Sequence, residues 1–546
     1  TALKVIDSKP LEFAKSVGFT ANNAKGDVSA KIALNFLLER KMTADTVTAS
    51  ASAILKNVDV PKVALGLDLN KADLILTANN KSMTIKGGGL LGGVETDIQW
   101  TENFADKSKF QRQYKLKAKV SDQAWREKLK FNFVPFTDEY MRGVIGAEVT
   151  ANIKPDKSGD LIAKLDLKDT SMTLPNLGWV KSPKVAANAV VEAKFSESGF
   201  NSVPKIELNG GGMELLANAS FDEKGKLSKV TIGRLRFGDT ELRAVIAPVG
   251  GPNKNGWDID VSGPRLDLRS WLAAEDDGGR FEKGDSLTLS LNVQSVQLYP
   301  GKFLRQLNGE MAFDGWVWDQ IQLNSSLGGS KNFVVALSSK GGKRNLQITS
   351  NDAGTALQTF DYYDNLIGGR LTLTGEYADM TPDSKFSGHA LIENFRVINA
   401  PVLAELLNVA SVTGIIENLG GLGLAFAKFD VPFESVDDVI TIKDATVTGL
   451  SLGLTASGTL NTAVESVDLK GTIVPAYALN TALTRIPIIG LLFSGGEKDG
   501  GVFAANYSMT GSIKDPDIST NPLSVLAPGI LRRLFGIFDR PKDKKS

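Results

Sequence analysis

Gly449-Leu450-Ser451-Leu452-Gly453 has the G-x-S-x-G spacing that can set a serine on a sharp turn, where a nearby histidine makes its hydroxyl an acyl nucleophile. That chemistry needs a strand turning into a helix and a histidine later in the chain. Here the single histidine, His389, precedes Ser451, and Leu454 to Leu460 continue an alternating strand, so the spacing does not read as a nucleophile elbow. One histidine without any cysteine cannot build the usual zinc sites, and neither HExxH nor GxxxxGK[ST] occurs. His389 lies in a strand-like stretch, Phe386 to Ile392, and is expected to be structural or solvent-facing. Asp258 and Asp260 alternate with Trp257, Ile259 and Val261, the pattern of a wetted strand face, and nothing selects a glycosidase pair out of 62 acidic residues. The clusters Gly87-Gly88-Gly89 and Gly210-Gly211-Gly212 lack a strand-GxGxxG-helix frame, so they read as bulges or bends between strands and not as phosphate cradles. No catalytic residue, metal or cofactor is expected.

The elements around these residues are almost all strands. Val28, Ala30, Ile32, Leu34 and Phe36 alternate with polar or small neighbours. The same holds for Leu161, Ala163, Leu165 and Leu167, and for Leu287, Leu289, Leu291 and Val293. Each run predicts an antiparallel strand with one dry face. Turn signals separate the runs at Asn79-Asn80, Pro155 to Gly159, Asp222 to Gly225, Asn253 to Gly256 and Gly341-Gly342. Residues 1–350 therefore predict a repetitive succession of hairpins, interrupted at most by a loop at the acidic run Glu275-Asp276-Asp277.

Residues 351–546 mix strands with short amphipathic helices. Asn351 or Asp352 can cap a helix over about 352–367 that carries Leu357 and Phe360 and stops at Gly368-Gly369. A second helix is expected over 401–419, with Leu403, Leu406 and Leu407 on its apolar side, and others near 478–485 and 522–538. The last of these ends in a basic tail, Arg532, Arg533, Arg540, Lys542, Lys544 and Lys545.

Composition narrows the function classes. Lysine plus arginine equals aspartate plus glutamate at 62 each, so no global field draws in nucleic acid. The absence of cysteine fits an oxidising compartment. The chain begins at Thr1 without a signal peptide, which reads as a mature or excised segment whose membrane anchor would lie upstream. No stretch reaches the roughly 20 apolar residues of a spanning helix.

The C-terminal 200 residues resemble a known family. Asp352-Ala353-Gly354, Tyr363-Asp364-Asn365, Gly368-Gly369-Arg370-Leu371-Thr372-Leu373 and Phe395-Arg396-Val397-Ile398-Asn399-Ala400-Pro401 are similar to the C-terminal region of AsmA-like proteins of the YhdP type. The most specific stretches are Gly471-Thr472-Ile473-Val474-Pro475-Ala476-Tyr477 and Asn521-Pro522-Leu523-Ser524-Val525-Leu526-Ala527-Pro528-Gly529. Before residue 351 the likeness is loose, chiefly Leu266-Asp267-Leu268-Arg269-Ser270-Trp271-Leu272. The resemblance implies a bridge-like lipid-transfer protein of the bacterial envelope. Such a protein is anchored in the inner membrane by an N-terminal helix and crosses the periplasm as an elongated, twisted, taco-like β-groove that moves phospholipid toward the outer membrane. Outer-membrane or envelope proteins are expected partners at its C-terminal end, and the family brings no catalytic set.

Physics makes that function coherent. About thirty strands spaced about 4.8 Å apart would extend on the order of 140 Å. An acyl chain of roughly sixteen carbons left in water costs on the order of 10 kcal/mol, at about 0.8 kcal/mol per methylene. A dry floor removes most of that barrier and discriminates weakly among headgroups. Periodicity alone favours apolar faces that pack on one another, as in a sandwich; the resemblance turns the expectation to an open groove. Its floor candidates are Leu161, Ala163, Leu165, Leu167, Leu287, Leu289, Leu291, Val293, Trp316, Trp318, Phe333, Val335 and Leu337, with Leu357, Phe360, Leu403, Leu406 and Leu407 as helical cover. The alternative is an outer-membrane assembly factor that binds a partner strand along its sheet edge. A transmembrane barrel is disfavoured because aromatic girdles are not apparent.

Overall fold

The alternating runs fold into strands of one open, mainly antiparallel sheet of 29 strands. The computed structural model describes residues 24–35, 47–64, 66–104, 108–197, 199–249, 256–273, 284–409, 419, 421–475 and 504–520. The expected helices at 478–485 and 522–538, the basic tail and Phe36 lie outside the described residues. Consecutive strands pair with each other because their connections are tight turns. At one of these, Asn79 accepts the backbone N–H groups of Lys81 and Ser82; at another, Asp222 accepts those of Lys224 and Lys226. Gly341 and Gly342, at φ +63° and +79°, make the two-residue turn between Lys331–Lys340 and Lys343–Ser350. Among the described residues, Lys25–Asn35 and Pro516–Thr520 each pair on one side only, so the sheet does not close.

The chain divides into two compact units, 1–248 with 270–274, and 249–269 with 275–546. Residue 350 lies inside the second unit, at the end of a strand paired with Leu366–Tyr377. In the first unit an antiparallel meander runs from Lys25–Asn35 to Thr240–Pro248. Two short strands, Thr170–Leu174 and Trp179–Lys181, branch off the start of Met141–Ile153. Lys181, fully buried there, donates its ammonium to the Thr170 carbonyl at 2.7 Å, so backbone oxygen stands in for a carboxylate partner.

The Gly87-Gly88-Gly89 run, expected between strands, lies within one, Ser82–Leu91. Its neighbour Leu67–Asn79 carries the irregularity instead, with Lys71 at φ +50° and a register shift between Asn70 and Asp73. That bulge pushes backbone against the glycines: a Cβ on Gly87 would come within 2.0 Å of the Asp73 carbonyl oxygen.

The second unit breaks the hairpin order once. Gly256–Asp267 and Ser286–Tyr299 pair in parallel, which no tight turn allows, and the connection between them contains the short helix Arg269–Leu272. Glu275, Asp276 and Asp277 belong to that connection but lie outside the described residues. From Ser286 to Thr520 the strands form an antiparallel meander.

Its first well-capped helix is shorter than expected. Asp352 accepts the Thr355 N–H at 2.8 Å and starts Ala353–Thr359. The chain then turns through Asp361 at φ +61° and enters a strand at Leu366. Pairing of Leu366–Tyr377 with Phe386–Val397 overrides the expected continuation of the helix to 367, so Ile367 is exposed and Leu366 takes the buried position. The second helix is described over Pro401–Val409, and 410–418 lie outside the described residues.

Candidate functional site

Strand register decides which side chains stand side by side. In the second unit the paired residues Ile259, Leu289, Met311, Ile321, Leu337, Leu346, Gly375, Gly388, Phe433, Ile442, Gly458, Leu469, Met509 and Ile518 form one row across fourteen strands. No polar side chain interrupts it. A second row runs beside it through Val261, Leu291, Gly309, Leu323, Val335, Ile348, Leu373, Ala390 and Val431. A third contains Phe333, Ser350, Leu371, Ile392, Phe429, Val447, Leu454, Ile473 and Ala505. Because a strand alternates with period two, all three rows share one face.

The first unit repeats the arrangement. Val28, Leu55, Leu74, Gly87, Ile98, Leu116, Val149, Ala163, Val191, Ile206, Ala217, Ile232 and Ala244 form an apolar row across thirteen strands. Leu161 sits in the next row with Trp100, Tyr114, Ala151 and Ala193. Leu165 sits in a third, with Ala147, Ala189, Leu208, Leu215 and Leu235. Leu161, Ala163 and Leu165 are half-buried, whereas Leu167 is buried just past the strand end.

Of the second unit's floor candidates, Leu289, Leu291, Phe333, Val335 and Leu337 fall in these rows, and Leu287 and Trp318 in a further row on the same face. Leu287, Leu289, Leu291, Phe333, Val335 and Leu337 all stand on this face, as does Trp318, opposite and 5.4 Å from Phe313. Trp316 lies outside the rows, in a bend where its backbone N–H is held by the Asp314 carboxylate. Val293 is fully buried opposite Leu307, a packed position and not a surface. Most of the first unit's main row was not singled out from sequence, Val191, Ile206 and Ile232 among it. Their strands carry bulges that break simple alternation, and only the pairing shows their common face.

Cover is uneven. Leu406 and Leu407 of Pro401–Val409 are buried in a cluster with Ile392, Phe426, Leu452 and Ile473, and Leu357 and Leu403 pack on its margin. The Phe360 ring lies tilted against that of Phe333. The helices thus cover the third row, while the first and second rows stay mostly half-buried. Among the described residues no second sheet forms a layer over them.

The opposite face is charged. Lys117 and Glu148 pair across neighbouring strands at 2.8 Å, and Lys385 and Lys443 flank Glu434 at 3.2 and 3.3 Å. His389 belongs to this face: its Nε2 lies 2.5 Å from Asp430, which also pairs with Lys428. Lys428 first, then His389, holds the Asp430 carboxyl below its ordinary range. His389, Glu434 and Lys443 border a concavity of about 700 Å³ with Gln347, Thr374, Glu376 and Ser387 on its walls. Ser451 occupies the turn between Val439–Gly449 and Leu452–Asn461, so the G-x-S-x-G stretch is a hairpin. Among the described residues no group of three His, Cys, Asp or Glu could hold a metal ion, and no helix is long and apolar enough to cross a membrane. No protein-family model and no curated protein matches the chain.

Proposed function

We propose that the chain is a periplasmic segment of a bridge-like lipid-transfer protein of the AsmA-like, YhdP type, and that its apolar face shields phospholipid acyl chains on their way between inner and outer membrane. One observation carries the reading. Rows of thirteen and fourteen consecutive apolar or glycine positions run across the strands of the two units; the second unit's row is half-buried at all positions but Leu337, the first unit's is half-buried outside Val28, Leu74, Ile98, Leu116 and Ala217, and among the described residues no second sheet lies over either. Water-exposed apolar surface of this extent is costly unless something apolar occupies it. Acyl chains fit, because a row of aliphatic side chains offers burial without directional contacts, while the charged face stays in water. Anchoring in the inner membrane and docking at the outer membrane rest on the sequence resemblance.

Mass spectrometry of lipid carried by the gently purified protein tests the proposal, against a variant carrying Leu291→Glu and Val335→Glu. Several phospholipids per chain, lost in a folded variant, are expected. A lipid-free protein of full stability overturns the reading. A second reading, partner binding by strand addition, is favoured by Lys25–Asn35, exposed along its whole length and paired on one side. Proline substitutions in that strand would abolish function under strand addition and spare it under lipid carriage.

A further inference from the structure

A knuckle of aromatic side chains projects from the margin of the first unit's apolar face. It connects Arg112–Ser121 to Met141–Ile153, and every residue from Lys130 to Pro135 is exposed, with Phe133 at 57 % and Val134 at 65 %. Exposed apolar side chains at a loop tip usually belong to a pliable segment. This one is held rigidly. The Phe131 N–H donates to the Trp125 carbonyl at 2.8 Å, the Phe136 N–H to the Phe133 carbonyl at 2.6 Å, and the Trp125 indole to the Phe136 carbonyl at 3.2 Å. Phe131, Phe133 and Phe136 stand 5.3 to 5.8 Å apart in mutual tilted or edge contact, and Phe136 meets the buried Trp125 at 6.0 Å. Trp125 packs in one cluster with Ile145 and Leu167, and Leu165 of the apolar rows lies against that cluster. A contiguous, buried apolar cluster therefore joins the exposed tip to the rows.

We propose that this knuckle inserts into the interfacial region of a phospholipid bilayer and forms a lip through which acyl chains reach the apolar face. The inference rests on the reading of that face as an acyl-chain surface. Two features favour a bilayer over a protein groove. Its Phe131, Phe133 and Val134 side chains are purely apolar, of the kind that interfacial segments bury at the headgroup–acyl boundary. Lys130, exposed at the base of the tip, supplies a cation for headgroup phosphates, whereas the Lys128 ammonium donates to the Gly93 carbonyl at 2.8 Å. The acidic neighbour Asp138 is already paired, with Arg126 at 2.9 Å and Arg142 at 3.5 Å, and Glu127 is bonded to Gln123.

Flotation of the purified chain with vesicles of mixed phosphatidylcholine and phosphatidylglycerol, and with phosphatidylcholine alone, tests the assignment. A triple variant, Phe131→Ser, Phe133→Ser and Val134→Ser, is expected to lose at least about tenfold in vesicle affinity. Its co-purified lipid should fall with the vesicle affinity, while its thermal unfolding stays cooperative and shifts by no more than a few degrees. Lys130→Glu should weaken binding to the mixed vesicles only. The chain has no cysteine, so Phe133→Cys can carry a single environment-sensitive fluorophore, whose emission should shift to the blue on vesicles. Equal flotation of the triple variant, or no emission shift at position 133, overturns the proposal, as does tight capture of a protein by the knuckle with vesicles ignored. Loss of flotation in the variant with no lipid on the wild-type chain would instead sink the acyl-chain reading and leave the membrane contact standing.

Discussion

The ring of Phe360 lies 4.6 Å from that of Phe333, with the planes inclined by 41°. Phe333 belongs to the apolar face and Phe360 to the turn that ends Ala353–Thr359, so this pair joins helix to sheet. Phe360→Ala should destabilise the second unit by about 1–2 kcal/mol, the range for losing a half-buried ring contact. Urea unfolding measures the loss, and hydrogen exchange should show it concentrated in Lys331–Ser350. Phe360→Leu should recover most of it.

The cap of the same helix carries a pH dependence. Burial raises the Asp352 carboxyl, but the Thr355 N–H and the Lys331 ammonium outweigh it, so the group titrates below its ordinary value. A lowered carboxyl stabilises the fold fully above its unfolded pKa of about 3.9, and the contribution disappears as pH falls through the lower folded value. Asp352→Asn keeps a capping side chain and removes the titration. The stability gap between wild type and this variant should be constant near neutral pH and shrink only in that acid window. Asp352→Ala should cost about 1 kcal/mol at pH 7.

Glycines in the long row make room for rings. A Cβ on Gly375 would come within 2.2 Å of Phe386 Cζ and 2.9 Å of the Ser387 carbonyl oxygen. Phe386 is held by Tyr377 at 4.6 Å and Phe433 at 5.8 Å, so it has little freedom to swing away. Gly375→Ala should therefore cost about 1–3 kcal/mol, with part of it relieved by Phe386→Leu in the double variant.

One strand offers an internal contrast between floor and core. Leu291 is half-buried in an open row, and Val293, two residues on, is fully buried. Val293→Asp should destabilise by more than about 3 kcal/mol, because a carboxylate would be buried without a partner. Leu291→Asp should keep the fold while reducing bound lipid. Equal unfolding by both would mean that the rows are packed core.

The strand pattern was legible because half-buried strands write their two faces into alternating residues. Leu161, Ala163 and Leu165 share a face as read, and so do Leu287, Leu289 and Leu291. The cap at Asp352 was legible for the same local reason, whereas the end of its helix was not: partner strand Phe386–Val397 claimed Leu366 onward. The glycine run at 87–89 misled because the bulge it accommodates belongs to another strand.

The sequence by itself determined strand content, turn positions, the poverty of catalytic groups and the chemistry of each face, all set by neighbours a few residues apart. Tertiary structure alone decided the rest. Whether Leu289 stands beside Met311, whether Gly256–Asp267 runs parallel to Ser286–Tyr299, and which apolar positions a helix covers depend on register and long-range closure. A slip of one residue would exchange the faces without altering the composition of any strand.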